Sequence, residues 1–496
     1  MPDHPAPFTP PSSSLPATWE SVAQLLASTD FSQRALPALL REARWFGGKA
    51  HPLREVRVVA SLPVGDPAAG RLLLLDAIYA DRLPESYTLP VQLAPAAPPG
   101  ASIIAHLNGG VLFDALHDAP FRDALFDLIL HEKKVRAEAG EIAGIRGAAL
   151  AAGLALPLDS RALAAEQSNS AIVYGSRFFL KLYRKPEAGE NPDAELIRFL
   201  SERQGYAHVP AFCGAIEHRG TGQPRTLALL VAHVESDGDA WAFTLAHGHD
   251  ADYPARARQL GERTAGMHLA LAADGADPAF APEPFTRQDQ HALCESTKTA
   301  ARQTMELLAK KLPEIPAAHR PDAEALLAHA EEIPALLATL ETCDLRTTKT
   351  RHHGDYHLGQ VLNAGGDFVI IDFEGEPARS LAERRMKRSP LRDVAGMLRS
   401  FHYAANSAPA DRDARESAEN WARHIARVFL DAWLATAKGA TFIPEDPHTF
   451  DALLRVHLIE KAIYEISYEL NHRPGWVFIP VRGVLQILDE RLTSPL

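Results

Sequence analysis

The sequence predicts an α+β protein of more than one domain, and three observations carry that expectation. Strand-like runs crowd the stretch before about residue 235, and the remainder is alanine-rich and helical. The length of 496 residues also exceeds what one core of about 100–150 residues takes up. Hydrophobic residues at 46% and charged residues at 23% are ordinary for a folded chain and exclude a wholly disordered or collagen-like one. A net charge of −12 argues against a broad surface for nucleic acid or anionic membrane. The three cysteines, Cys213, Cys294 and Cys343, are far apart in sequence and form no CxxC pair, which excludes a disulfide framework and a structural zinc site.

Taken in chain order, residues 1–16 read as a disordered leader without the charges or apolar core of a secretory signal. Residues 17–100 read as a first subdomain, with a helix over Trp19–Ala27 and strands over Glu55–Ala60 and Arg71–Tyr79. The Pro/Ala/Gly-rich stretch 94–100 marks its expected end. Residues 101–234 open with a helical stretch around Phe113–Glu138 and pass into strands over Ala171–Tyr174, Arg177–Arg184 and Thr226–Val234. Residues 235–496 are expected to be helical apart from one hairpin. No apolar run reaches the roughly 18 residues that would cross a bilayer, so the expected location is the cytoplasm.

The hairpin holds the most informative residues. In RHHGDYHLGQVLNAGGDFVIIDFEGE (351–376), two strand-like runs flank the Ala364–Asp367 turn, and folding about its centre sets Gln360 opposite Ile371 and Gly359 opposite Asp372. Gln360 and Asp372 then converge at the end where Asp355 enters. A carboxylate, an amide and a second carboxylate are hard oxygen donors suited to Mg²⁺. Asp355 and Gln360 are five apart, the spacing that protein kinases use between catalytic Asp and metal-binding Asn. Asp355 is therefore expected as the catalytic base, with Gln360 and Asp372 as magnesium ligands.

Phosphoryl transfer also needs a strand lysine for the phosphates and an acid to hold it. Lys181 lies in the apolar run RFFLKLYR and needs an anion there. Glu195 follows the helix-start signal Asn191-Pro192-Asp193 and is the expected partner. The polar turn Gln167-Ser168-Asn169-Ser170 offers backbone N–H groups to nucleotide phosphates, without a glycine-rich pattern. Gly47-Gly48-Lys49 fails as a phosphate loop because Ala43 stands where the first glycine belongs and Ala50 follows the lysine. His352, His353 and His357 lie in a loop broken by Gly354, which suits hydrogen bonds that organise the loop better than zinc ligation. The seven bases between Arg379 and Arg399 read as a solvated helix face.

Together, EQSNS with its lysine-bearing strand, HGDYHLGQVL, IDFEGEPARSLAERRMKRSPLRDVAGMLRSF and EKAIYEISYELNHRPGWVFIPVRG closely resemble bacterial maltokinases. These are relatives of the aminoglycoside phosphotransferases with a protein-kinase-like fold. RWFGGK at 44–49 is similar to their N-terminal cap. The resemblance implies a bilobal kinase-like fold with a mixed α/β N-lobe, a mostly helical C-lobe and an added cap. It implies transfer of the ATP γ-phosphate to the anomeric hydroxyl of maltose, giving maltose 1-phosphate for the route from trehalose to glycogen. Lys181 and Ser168, Asn169 and Ser170 would serve ATP, with Val231, Ala232, His233 and Val234 as the adenine hinge. Lys461, Tyr464, Tyr468 and Trp476 match the sugar-binding segment, with His357 beside them, and Tyr464 and Tyr468 share a helix face as an i, i+4 pair. His353 and Asp393 would brace the catalytic loop. Trehalose synthase is the candidate protein partner, since members of the family occur fused to it or assembled with it. The alternatives are a kinase for another sugar such as glucosamine, and a catalytically silent module that binds trehalose synthase.

Overall fold

The computed structural model describes residues 9–65, 70–151, 153–163, 168–407 and 412–489. Contacts divide the chain into one unit of residues 1–203 and 210–235 and a second of 204–209 and 236–496.

The first unit is built on two antiparallel-rich sheets. Strands β1 (Ser12–Pro16), β2 (Leu53–Val64), β3 (Gly70–Tyr79), β4 (Glu85–Ala94), β5 (Ile103–Asn108) and β6 (Gly110–Asp114) form one sheet in the order β1-β5-β6-β4-β3-β2. Its strands are rich in leucine and valine, and a core of Leu73, Leu75, Tyr87, Leu89 and Leu112 packs with Phe31, Leu36 and Leu40 of the preceding helical segments. Two expectations change here. Of the disordered leader over residues 1–16, residues 1–8 lie outside the described residues, and Ser12–Pro16 pairs in parallel with β5. The stretch 94–100 is a connection inside this sheet, because β6 returns alongside β4 with Val91 opposite Asp114. Prolines and glycines end a strand wherever they cluster, whether or not a domain ends there.

The second sheet runs β7 (Lys134–Ala137), β8 (Gly140–Arg146), β12 (Phe212–Arg219), β13 (Arg225–Ala232), β11 (Phe178–Leu182), β10 (Ser170–Tyr174) and β9 (Ser160–Leu163) in that spatial order. The helix expected around 113–138 shortens to Ala119–Leu130, N-capped by the Asp118 carboxylate and followed by β7. RWFGGK packs as a structural element: Phe46 meets Tyr87 at 5.1 Å between ring centroids, and a Cβ on Gly48 would meet the Tyr79 hydroxyl at 2.0 Å.

Arg184 ties the two sheets together. It is almost wholly buried, donates to the Asp114 carboxylate (3.1 Å) and to the Thr88 carbonyl of the first sheet, and lies 4.7 Å over the Trp45 ring. It also donates through Nε to Ser170 Oγ of the second sheet at 2.7 Å.

The second unit is a set of helices around a short hairpin. The principal ones are Tyr253–Leu271, Arg287–Lys311, Leu391–Asn406, Arg412–Thr436 and Pro447–His472. The long helix expected at 322–342 divides into Arg320–Ala328 and Glu332–Thr342. Buried Trp433, Phe429, Phe401 and Tyr356 fill the space between the helices and the hairpin. Among the described residues no helix is long and apolar enough to cross a membrane.

Arg184→Met strands the Asp114 carboxylate and the Thr88 carbonyl without their donor. It is expected to destabilise the first unit by about 3–5 kcal/mol, read from the denaturant midpoint, while Arg346→Met, which alters an exposed side chain, leaves the midpoint within about 0.5 kcal/mol.

Candidate active site

Residues 351–376 owe their shape to Asp393. Its carboxylate is fully buried on the Leu391–Asn406 helix and accepts the backbone N–H groups of His353 (2.7 Å) and Gly354 (2.9 Å). Gly354 adopts φ +93°, a conformation glycine takes without strain, and Gly396 lets the helix lie flush on the loop, since a Cβ there would meet the Tyr356 carbonyl at 2.5 Å. A third donor completes the set. The Trp433 indole N–H can only donate, so His268 Nδ1 accepts it at 3.0 Å and His268 Nε2–H donates to Asp393 at 3.1 Å. Burial pushes the Asp393 carboxyl up, and the donors outweigh it and hold it well below the usual carboxylate range.

The hairpin register is the expected one. Val361–Ala364 pairs with Asp367–Ile370, and the Ile371 N–H reaches the Gln360 carbonyl at 3.0 Å, which sets Gln360 beside Asp372. Asp372 has φ +65°, a strained backbone for an aspartate. His353 Nε2–H donates to the Ile371 carbonyl at 2.9 Å, while its Nδ1 accepts the Asp355 N–H at 3.4 Å, so one imidazole links the two carboxylate-bearing segments. His357 Nδ1 accepts the Gly359 N–H at 3.1 Å. Burial lowers the pKa of His357 and brings that of His352 to about 3, which favours the neutral imidazole in both. His353 and His357 organise the loop through these hydrogen bonds, whereas the buried His352 Nδ1 has no hydrogen-bond partner among the described residues.

Asp355 meets a cation that comes from 106 residues away. Lys461 Nζ, on the Pro447–His472 helix, lies 2.9 Å from Asp355 Oδ1 and 3.8 Å from Glu376 Oε1. Burial pushes the Asp355 carboxyl up, but the Lys461 ammonium outweighs it and the carboxyl rests at about 2. Burial draws Lys461 down, and Asp355 and Glu376 together raise it above the ordinary lysine value. Glu376 is in turn held by Arg392 (3.0 Å) and Arg379 (2.6 Å), and Arg392 also reaches Glu460. The bases of 379–399 are therefore not a solvated face. Arg392, Arg399 and Lys387 keep 10%, 4% and 7% of their side-chain surface, and each meets a carboxylate: Glu376, Glu465 and Glu283. Their partners lie elsewhere in the chain, which is why composition alone reads the stretch as exposed. A cavity of about 730 Å³ opens on this network, lined by Asp355, Glu376, Arg388, Arg392, Lys461 and Tyr464 among others.

Along the same helix, aromatic rings form an exposed stripe. Lys461 Nζ lies 5.3 Å over the Tyr464 ring, Tyr464 stacks on Tyr468 at 6.4 Å, and Tyr468 on His472 at 4.4 Å. Arg473 lies 4.9 Å over Trp476. Tyr464 and Tyr468 are 36% and 43% exposed, too open for core packing to be their purpose. The cavity lining takes in Tyr464 and, among the described residues, stops short of Tyr468 and Trp476.

In the first unit, Lys181 Nζ meets Asp193 Oδ2 at 3.1 Å, and the Tyr183 hydroxyl donates to the same oxygen at 3.2 Å. Asp193 is a residue the sequence reading passes over as part of a helix cap. Glu195 stands two positions on, buried in the Pro192–Arg198 helix. Gln167 lies outside the described residues. Beside Ser168, the side chains of Asn169 and Ser170 are engaged by Arg184, through its N–H (3.3 Å) and its Nε (2.7 Å). Val231 and Ala232 end β13, and the His233 N–H binds the Arg177 carbonyl at 2.8 Å just before Val234. Glu376, Glu460, His268 and Trp433 also escape sequence reading. Glu376 alone carries a signal, as the second acid after Asp372 in IDFEGE.

Two protein-family models match the chain: the maltokinase N-terminal cap domain over residues 40–118, and the phosphotransferase enzyme family over residues 159–429, more than half of its length. A glucosamine kinase of Streptacidiphilus jiangxiensis is 29% identical over 347 residues, 67% of this chain and 74% of that protein. One of Mycolicibacterium smegmatis is 28% identical over 338 residues, 66% of this chain and 80% of that protein. A solved glucosamine kinase in complex with glucosamine, ADP and inorganic phosphate shares the fold with a TM-score of 0.65 at 22% identity, over 95% of this chain and 99% of that one.

The pair Asp355–Lys461 makes a titration testable. Asp355 is depressed in the folded state, so its share of stability is present above the unfolded carboxylate value and is lost as pH falls toward 2. Lys461 is raised, so its share is present below the unfolded lysine value and is lost at higher pH. In Lys461→Met, burial acts on Asp355 with its strongest opponent removed. A ¹³C-carboxyl NMR titration is expected to show the carboxyl above its ordinary value near 4, and a carboxyl that stays at about 2 would remove Lys461 as the cause.

Proposed function

The chain belongs to the phosphotransferase enzyme family and carries a maltokinase N-terminal cap domain, and from that premise we propose that it phosphorylates maltose at the anomeric hydroxyl, with ATP as donor. The observation that carries the reading is the Asp355 carboxylate, paired with Lys461 on the helix that bears the exposed tyrosine stripe. Aromatic faces beside charged hydrogen-bonding groups suit the apolar and hydroxylated faces of a sugar ring.

In the proposed mechanism Asp355 accepts a hydrogen bond from the attacking hydroxyl and orients it toward the γ-phosphate. A carboxyl resting at about 2 is a weak base, so proton transfer comes late, as a loose phosphoryl transition state requires. Lys461 has a second acid, Glu376, 3.8 Å away, which keeps the ammonium compensated if the acceptor displaces it from Asp355. Lys181, steadied by Asp193 and with Glu195 close in sequence, would hold the nucleotide phosphates. Gln360 and Asp372 present the hard oxygen donors that Mg²⁺ prefers, and the ion would neutralise phosphate charge. Maltose 1-phosphate would feed α-glucan synthesis, with trehalose synthase as the source of maltose and the candidate partner.

The named relatives favour a second reading, a kinase for glucosamine. Incubation with ATP, Mg²⁺ and a panel of sugars separates the two. ADP release with maltose and an anomeric phosphate resonance in ³¹P NMR are expected. Preference for glucosamine would sink the maltose assignment, and no ADP release with any sugar would leave a binding module. Asp355→Asn should lower kcat by at least about 10³-fold with little change in the Kd of Mg·ATP by calorimetry. Tyr468→Ala should raise KM for maltose several-fold and leave KM for ATP alone; equal changes would mean a packing role.

A further inference from the structure

Six basic and six acidic side chains line the cavity beside Asp355. Five of the bases hold a carboxylate: Lys461 that of Asp355, Arg379 and Arg392 that of Glu376, Lys349 that of Asp289 (2.7 Å) and Lys387 that of Glu283 (2.7 Å). Arg388 is different. Among the described residues its guanidinium makes neither a hydrogen bond nor an ion pair, although it lies in the same wall and burial lowers its pKa. Arg388 is only half-buried and none of its guanidinium nitrogens is sealed from solvent, so its five N–H donors are open to a ligand in the cavity.

The backbone holds this side chain in place. Arg388 exchanges both hydrogen bonds with Thr350, at 2.9 and 3.0 Å. Thr350 precedes Asp355 by five residues, so the two are at most about 17 Å apart along the wall. The Arg388 backbone is thus anchored to the segment that leads into the Asp355 loop, while Arg388 remains distinct from Lys461, the cation at Asp355 itself.

The chemistry of the lining selects the ligand. With bases and acids in balance, an anion would leave the cavity negative and a cation would leave it positive, whereas a neutral ligand rich in oxygen acceptors would satisfy Arg388 without disturbing the balance. A volume of about 730 Å³ is also generous for a single sugar ring, in the upper part of the range of about 300–1,000 Å³ for small-molecule sites.

We propose that Arg388 reads the second ring of the acceptor, donating to hydroxyl oxygens of the sugar unit beyond the one that reacts at Asp355. The inference rests on the sugar-kinase reading above and adds to it a residue that sets acceptor length. Arg388→Met keeps the aliphatic reach and removes the donors. It is expected to raise KM for maltose about tenfold or more, with KM for ATP, the melting temperature and kcat/KM for glucose unchanged within about twofold. Arg388→Lys should recover part of the loss. An unchanged KM for maltose in Arg388→Met, or equal losses with maltose and glucose, would overturn the role of Arg388 alone. A KM for ATP that rises in step with that for maltose would assign the residue to the nucleotide and overturn it as well. Wild-type protein that phosphorylates glucosamine and not maltose would overturn the maltose reading and this inference with it.

Discussion

A single buried carboxylate, that of Asp393, is the constraint on which the second unit's chemistry depends. It is 1% exposed, and an isolated carboxylate taken out of water to that degree would be neutralised or expelled. It stays ionised because two consecutive backbone N–H groups and an imidazole N–H converge on it. In satisfying Asp393, the chain fixes the backbone of His353 and Gly354, and that in turn fixes where Asp355 emerges. The loop thus takes its shape from an acid on a neighbouring helix, and the residue expected to do the chemistry inherits its position. The Trp433–His268 pair belongs to the same device, because the indole sets the tautomer that lets His268 donate.

The arrangement around Asp355 extends the principle from one charge to a chain of them. Lys461 answers Asp355 and Glu376, Arg392 answers Glu376 and Glu460, and Arg379 answers the same two acids. Glu376 and Glu460 each have more than one cation, so displacing a single base leaves neither bare in the interior, whereas Asp355 has Lys461 as its one direct ion-pair partner among the described residues. A site that must admit a ligand and let a proton move benefits from that redundancy. Arg388 feels the charge of the same two acids, Glu460 and Glu376, but among the described residues its guanidinium makes no direct ion pair or hydrogen bond, unlike its neighbours.

Sequence reading succeeds where the determinants are local. Turn chemistry at Ala364–Asp367 and the alternation on either side specify a hairpin register, and that register brings Gln360 next to Asp372. The Trp19–Ala27 helix and the apolar strand around Lys181 are legible for the same reason. It fails where partners are remote. Lys461 is 106 residues from Asp355, Glu460 is 68 residues from Arg392, and Glu465 is 66 residues from Arg399. Asp193 is missed for another reason: it sits in a helix-start signal that accounts for an aspartate without further purpose. The break expected at 94–100 fails because two later strands return to a sheet that a local reading considers finished.

The overall charge of −12 would by itself make this chain a poor receiver of a nucleotide triphosphate. Its acids are not spread evenly, however, and the site has its own balance. In the cavity beside Asp355 acids and bases are matched, so the negative total is carried elsewhere on the surface and long-range repulsion is screened over about 8–10 Å at ordinary salt. What a ligand meets at the site is therefore decided by which charges are free rather than by how many there are. Lys461 is engaged by Asp355 and Glu376, whereas the Arg388 guanidinium makes no direct ion pair among the described residues. Affinity for a neutral acceptor then depends on directed hydrogen bonds more than on net attraction, which is the condition under which length and stereochemistry of a sugar can be told apart.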